Sequence, residues 1–225
     1  MICVVIPTLN CAAHLEALMP SIATADRIVV ADGGSTDGTI AVAVTSAIIA
    51  AGAKGRGPQL ALGGSHCANS DWLLFIHADN QLPDDWKAHV SRHIQLSPKA
   101  AAYFRYRADA SGFWPRFMDF WVGMRCQWWG SPYGDQGLLI SRDMYEALGG
   151  HQPIALFEDV AIIDAIKAKF GRTSLKPLGG YMRIDISKYD EQGIWKRGVR
   201  NLKLVKAYRR GEDIEALMAA YGDTT

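Results

Sequence analysis

Three short apolar runs, each closed by a polar or turn-forming residue, constrain the fold of this chain more than any other feature. Residues 2–6 (Ile-Cys-Val-Val-Ile) stop at Pro7, and residues 27–31 (Arg-Ile-Val-Val-Ala) stop at Asp32. Residues 71–77 (Asp-Trp-Leu-Leu-Phe-Ile-His) stop at Ala78-Asp79-Asn80, and residues 47–51 make a weaker fourth run. Runs this short and this continuously apolar predict strands buried on both faces, the pattern of a parallel sheet. Helical patterns separate them. Residues 14–23 put Leu15, Leu18, Met19 and Ile22 on one face, an alanine-rich stretch follows Thr39, and residues 59–70 form another helix. Strand and helix in alternation predict an α/β fold, with a mostly parallel central sheet and helices on both faces. Ligands of such sheets bind beyond the carboxyl ends of the strands. Residues 7–10 (Pro-Thr-Leu-Asn), Asp32 and residues 77–79 (His-Ala-Asp) stand at three such ends and converge on one crevice.

The second half reads differently. Trp114, Phe117, Phe120, Trp121, Trp128 and Trp129 crowd a short stretch, Leu138 to Ser141 is strand-like, and residues 157–169 form a helix. A chain of 225 residues with 49% hydrophobic content supports one domain, or one domain with a modest extension. A formal net charge of +1 gives no global field for nucleic acid. Cys3, Cys11, Cys67 and Cys126 form no CxxC pair, which disfavours a zinc ribbon or a thioredoxin-like site. Their scatter predicts reduced thiols in a cytoplasmic protein. The first residues lack the basic and apolar regions of a signal peptide, and no apolar stretch is long enough to span a bilayer.

Four motifs follow one another along the chain: Val-Val-Ile-Pro-Thr-Leu-Asn at 4–10, Asp-Gly-Gly-Ser-Thr-Asp-Gly-Thr at 32–39, His-Ala-Asp at 77–79 and Glu-Asp at 158–159. In this order and spacing the chain resembles the family 2 glycosyltransferases over residues 1–170. Within that family it is most similar to the radical-SAM/selenodomain-associated transferase branch. That branch carries Gly-Arg-Gly-x-Gln, here residues 55–59, and His-Ala-Asp in place of Asp-x-Asp. The resemblance implies a GT-A type, Rossmann-like fold. It also implies inverting transfer of a sugar from a UDP- or GDP-linked donor to an acceptor hydroxyl. It divides the chain into a transferase domain, residues 1–180, and a basic helical extension, residues 181–225. The domain has a nucleotide-sugar half (1–95) and an acceptor half (96–180).

A sugar nucleotide needs partners for its base and ribose, positive charge for its diphosphate, and an activated acceptor facing its anomeric carbon. Asp32 at a strand end suits a base or ribose contact, and equally a turn or helix cap. The resemblance assigns it the base. Pro7, Thr8, Asn10 and Gly33 line the same wall, Asn10 being as well suited to a turn. Arg56 and Gln59 lie one helical turn apart at a helix start, where Arg56 suits a phosphate or ribose. Asp79, with His77 and Ala78 before it, is the candidate ligand for Mn2+ or Mg2+, both of which prefer oxygen. His77 suits either a ribose contact or a structural place beside the sheet. Inversion needs one base on the acceptor side. The resemblance assigns that role to Asp159, with Glu158 orienting it or touching the acceptor. An acidic pair stabilised by a helix N-terminus is the plainer alternative. Asp135 and Gln136 fall on the acceptor side.

The aromatic stretch suits core or lid packing, or contact with an acceptor. Between Gln192 and Gly211 there are seven basic residues and no acidic one, with Trp195, Val199, Leu202, Val205 and Tyr208 at helical spacing. This predicts an amphipathic helix packed on the domain. Residues 195–210 also suit peripheral contact with the inner face of a membrane, and with it a lipid-linked acceptor. Arg197 or Arg200 could instead close over the diphosphate. Two rival functions are a nucleotidyltransferase of related fold and a non-catalytic sugar-nucleotide-binding protein. The absence of a glycine-rich loop at residues 7–11 disfavours the first, and Asp159 disfavours the second.

Overall fold

The computed structural model describes residues 1–52, 54–186 and 194–222, with the side chains of 194–197 outside the described set. Seven strands form one sheet in the order β3-β2-β1-β4-β6-β5-β7. The four apolar runs become β1 (Ile2–Thr8), β2 (Arg27–Asp32), β3 (Ile48–Ala51) and β4 (Trp72–Phe75), all parallel. β6 (Leu138–Ser141) runs antiparallel to both β4 and β5 (Ala101–Ala108), while β7 (Leu175–Ile184) is parallel to β5. One reversed strand in an otherwise parallel sheet has a direct consequence. Phe75 pairs with Leu138, so the residues leaving β4 and those entering β6 emerge side by side. The ends of β1, β2 and β4 and the entrance to β6 therefore share one edge.

Alternation along β1 builds two cores. Val4 and Ile6 pack with Leu15 and Ile22 of α1 (Ala12–Ile22) and Trp86 of α4 (Trp86–Leu96). Cys3 and Val5 point the other way, toward Leu60 of α3 (Arg56–Ser65) and Ile162 and Ile166 of α7 (Glu158–Phe170). Helices thus cover both faces, as the pattern of doubly buried strands predicts. The remaining helices are α2 (Thr39–Ala43), α5 (Phe113–Trp129), α6 (Arg142–Ala147), α8 (Ile194–Arg209) and α9 (Ile214–Gly222). Among the described residues no helix is long and apolar enough to cross a membrane.

Several expectations need correction. The helix placed at 59–70 starts earlier, at Arg56, and ends at Ser65. The division at residue 180 falls inside β7, because alternating burial continues through Leu178, Met182 and Ile184. Cys3 and Cys67 are joined in a disulfide with Cα atoms 6.1 Å apart, so the four cysteines are not all free thiols. Sequence scatter hid the pair: the chain leaves β1, returns after α3 and brings together residues 64 apart. Cys11 and Cys126 are free. The aromatic stretch is a helix, but not a core one: Phe113, Trp114, Phe120, Trp121, Trp128 and Trp129 are all exposed.

α3 crosses the sheet closely because it carries glycines at the contact. A Cβ at Gly63 would overlap the Val5 side chain and press on Ala31, and one at Gly64 would overlap the Tyr145 ring. Gly63→Ala is therefore expected to destabilise the fold by about 1–3 kcal/mol, the usual cost of overpacking a close interface. Urea denaturation would register it as a lower midpoint with an unchanged slope.

Candidate active site

The loop after β2 is organised by its own acid. Asp32 is almost fully buried and accepts hydrogen bonds from the hydroxyls of Thr8 and Ser35 and from the N–H groups of Gly34 and Ser35. Burial opposes its charge, but the Ser35, Gly34 and Thr8 bonds outweigh it and hold the carboxyl below its ordinary value. Four bonds fill the lone pairs of a carboxylate. Asp32 thus shapes the turn, and contact with a nucleotide base would displace one of these bonds. Asn10, at φ 49°, accepts from the Thr36 N–H at 2.8 Å and plays the turn role. Asp37 does the same for α2, accepting from the N–H and hydroxyl of Thr39 and from the Ala12 N–H. Thr8 is buried, and Pro7 stands beyond the last β4 pairing, where β1 needs no N–H on that side.

The Gly-Arg-Gly-x-Gln segment is a structural device as much as a binding one. Gly55, at φ 127°, turns the chain into α3. A Cβ at Gly57 would overlap the carbonyl oxygens of Gln152 and Ile154, so only glycine lets α3 approach that segment. The approach carries Arg56 to Glu158, 102 residues away, and the two form an ion pair. The Glu158 side chain has no exposed surface, while the Arg56 side chain keeps 42% of its surface exposed. Burial raises the Glu158 carboxyl, and Arg56 opposes that rise. Gln59 corrects the expectation of a ligand contact. It is buried, and its amide nitrogen donates to the carbonyls of Thr8 and Ala31, stitching the ends of β1 and β2 beneath Gly33.

Around the end of β4 the residues come together as β6 pairing requires. The His77 N–H donates to Asn80 Oδ1 at 2.7 Å, and Asn80 Nδ2 donates to the Asp135 carbonyl at 3.1 Å. Gly134 N–H in turn donates to Asp159 Oδ2 at 2.8 Å, and Asp159 Oδ1 accepts from the Val160 N–H at 2.8 Å. His77, Gly134, His151 and Asp159 line one small cavity. Burial, helped by Arg56, holds the His77 imidazole down to about 4, and burial takes His151 to about 3. Both rings are neutral at pH 7. Burial lifts Asp135 to about 6 against the pull of Arg125. Ala78 is buried in the core and supplies spacing rather than contact. Gln136 also departs from expectation. It is buried, accepts from Arg125 and Cys126, and donates to the Phe104 carbonyl, which fixes the loop to β5 and α5.

Among the described residues no three His, Cys, Asp or Glu side chains converge to hold a metal. Asp79 is exposed, and its charge acts on His77 and Asp135. One carboxylate is nonetheless a fitting set for Mg2+ or Mn2+ when substrate phosphates complete the shell, since such ions often bind through one or two acids plus phosphate. Asn80, His151 and Arg125 escaped the sequence reading. Their roles depend on partners across the sheet, and only the pairing of β4 with β6 reveals them.

The model of Glycosyl transferase family 2 matches residues 3–159. A comparison with curated proteins finds no match. The fold is similar to glucosyl-3-phosphoglycerate synthase from Mycobacterium tuberculosis, solved with Mn2+, UDP and glucosyl-3-phosphoglycerate. There the TM-score is 0.63 at 20% identity, over 95% of this chain and 81% of that one. Mannosyl-3-phosphoglycerate synthase from Rubrobacter xylanophilus gives 0.62 at 16%, over 93% and 73%. S. aureus TarS gives 0.62 at 14%, over 82% and 60%.

Two outcomes follow from the electrostatics. Arg56→Met strands the buried Glu158 charge and is expected to cost about 3 kcal/mol, the low end for a broken buried pair because Arg56 is half open. Adding Glu158→Met should recover most of that loss in urea denaturation. Asp135 binds its proton more tightly folded than unfolded, so its burial destabilises the fold above about pH 6 and ceases to do so near pH 4. Asp135→Asn is therefore expected to stabilise the protein more at pH 7 than at pH 4, as read by melting temperature at each pH.

Proposed function

The chain belongs to glycosyl transferase family 2, and from that premise we propose that it moves a sugar, with inversion, from a nucleoside diphosphate sugar to an acceptor hydroxyl. One observation carries the reading. The exposed Asp79, the partly exposed Arg56 side chain and the doubly anchored carboxylate of Asp159 all act electrostatically on His77 at the end of β4, so the three charges gather around one point.

In this reading Asp159 is the base. The N–H groups of Gly134 and Val160 fix its orientation, and each oxygen retains a lone pair to take the proton of the attacking hydroxyl. Arg56 neutralises the diphosphate, and Glu158 acts behind it by holding the guanidinium in place. His77, kept neutral, offers a ring N–H to the ribose. Gly33 lets the donor approach the β2 loop, whose shape Asp32 maintains. Mn2+ or Mg2+ at Asp79 would supply positive charge to the departing diphosphate. UDP and Mn2+ in the complexes of the Mycobacterium tuberculosis enzyme make that pair the first to test, with GDP-sugars second.

The segment at 55–59 with His-Ala-Asp at 77–79 supports the radical-SAM/selenodomain-associated branch. Residues 1–95 serve the donor, and the rest of the sheet serves the acceptor. In this reading the acceptor is lipid-linked, and α8, packed on Phe157 through Val205 and Tyr208, makes peripheral contact with the inner face of a membrane through basic residues of 195–210. Trp195, Lys196 and Arg197 belong to that segment, but their side chains lie outside the described set.

A panel of UDP- and GDP-sugars, assayed for transfer and hydrolysis with Mn2+, with Mg2+ and with chelator, tests the reading. Asp159→Asn is expected to lower turnover 10²–10⁴-fold, the usual contribution of a general base. Its calorimetric UDP affinity should be unchanged. Full activity in that variant would remove the base assignment, and a product of retained anomeric configuration by NMR would remove inversion. Sugar-nucleotide binding without any turnover would favour a non-catalytic role.

A further inference from the structure

α5 and α8 stand apart beside the reaction crevice and enclose a cavity of about 540 Å³. That volume falls within the range of about 300–1,000 Å³ typical of small-molecule sites. Its walls are mostly apolar, with Trp114, Trp121 and Trp129 from α5 and Val199 and Leu202 from α8, and α8 also brings Asn201, Lys206 and Arg209 to the lining. Trp121 is 42% exposed and Trp129 56%, and large aromatic surfaces left open in this way mark sites of interaction.

The floor is of another character. Arg125, Tyr133 and Asp135 form it, with the Arg125 guanidinium stacked 3.5 Å over the Tyr133 ring. Among the described residues, Arg125 Nε and Asp135 Oδ1 are both buried without a hydrogen-bond partner, and so is Asn201 Oδ1 on the α8 side of the cavity. Buried polar atoms are almost always satisfied, so orphans around a mostly apolar cavity point to a polar group from outside. Asp135 follows Gly134, whose N–H holds Asp159. The Asp159 charge is felt at Asp135, so a polar group on this floor sits on the side of the proposed base.

We propose that this cavity is the acceptor site and that it takes a long-chain alcohol, its hydrocarbon body between α5 and α8 and its hydroxyl end at Arg125 and Asp135. Walls dominated by tryptophan and aliphatic side chains, with polar groups at the floor and along part of α8, match an amphiphile better than a sugar or a peptide, whose many polar groups would be stranded against tryptophan. Naming the site an acceptor site rests on the transfer reading above; its occupancy can be tested without turnover.

The full chain is titrated with bromododecanol, whose bromine quenches tryptophan fluorescence, with bromoethanol as the short control. The expected result is saturable quenching by the long alcohol at one site per chain. Gly198→Phe fills the cavity from α8, where an added Cβ meets nothing among the described residues, so that variant should fold. It is expected to weaken the long alcohol at least tenfold while leaving UDP–Mn2+ affinity unchanged, and Leu202→Arg should do the same. Quenching that ignores both substitutions, or that appears only once the alcohol forms micelles, overturns the proposal. So does a dimer in sedimentation that buries the tryptophans and excludes the alcohol. In wild-type assays kcat/KM should rise with alcohol chain length, and equal transfer to short and long alcohols would also overturn it. Saturable binding with no transfer from any sugar nucleotide would leave the cavity assignment standing and remove the transfer reading instead.

Discussion

Glu158 sits in the first turn of α7 with no solvent-exposed surface, and a carboxylate there is tolerable only because Arg56 reaches it. Removing a charge from water costs several kcal/mol unless a partner and hydrogen bonds replace the lost hydration. The partner arrives from α3, the neighbouring helix on the same face of the sheet, and its arrival sets strict terms. Gly57 must lack a side chain so that α3 can lie against residues 152–154, and Gly55 must turn the chain into the helix. Once the pair is made, the donor-side helix and the acceptor-side helix are locked at their N-terminal ends, and Asp159 follows Glu158 into the crevice.

The acceptor side is held by packing rather than charge. Phe157, immediately before the acidic pair, adopts φ 66°, a left-handed conformation that costs a non-glycine residue of order 1 kcal/mol. The ring is buried and rests on Tyr208 of α8 at 5.1 Å, in a small cluster with Leu204, Val205 and Leu217. The C-terminal helices therefore do more than cover the domain: they keep the turn that presents Glu158 and Asp159. The apolar stripe expected on α8 is shared between two tasks, with Val205 and Tyr208 on Phe157 and Val199 and Leu202 along the cavity.

Strands β1 to β4 and the α7 helix were legible because burial on both faces and helical period are local properties of sequence. So was the crevice, since polar residues at strand ends have few other places to go. β5 and β7 were not foreseen, and β7 reads poorly because Pro177, Gly179 and Gly180 interrupt it. Roles that the motifs left open or turned the wrong way share one cause. Gln59, Asp32 and Gln136 are polar residues in or beside recognisable motifs, and a motif does not disclose which way an amide or carboxylate bonds. In the fold each is taken up by backbone or neighbouring side chains: Gln59 by Thr8 and Ala31, Asp32 by its own loop, Gln136 by Arg125 and Phe104.

By itself the sequence determined the class of fold, the order of its first strands and the family, because these depend on periodicity and on motifs a few residues long. Only the tertiary structure decided which polar residues are committed to the scaffold and which remain open to a ligand. It also decided that β6 reverses, which sets Asp135 beside His77, and that an exposed aromatic helix and a basic one enclose a cavity. The physical reason is common to all three. Desolvation, hydrogen-bond satisfaction and enclosed volume belong to residues 50 to 100 positions apart in the chain, and such distances carry no periodic signal.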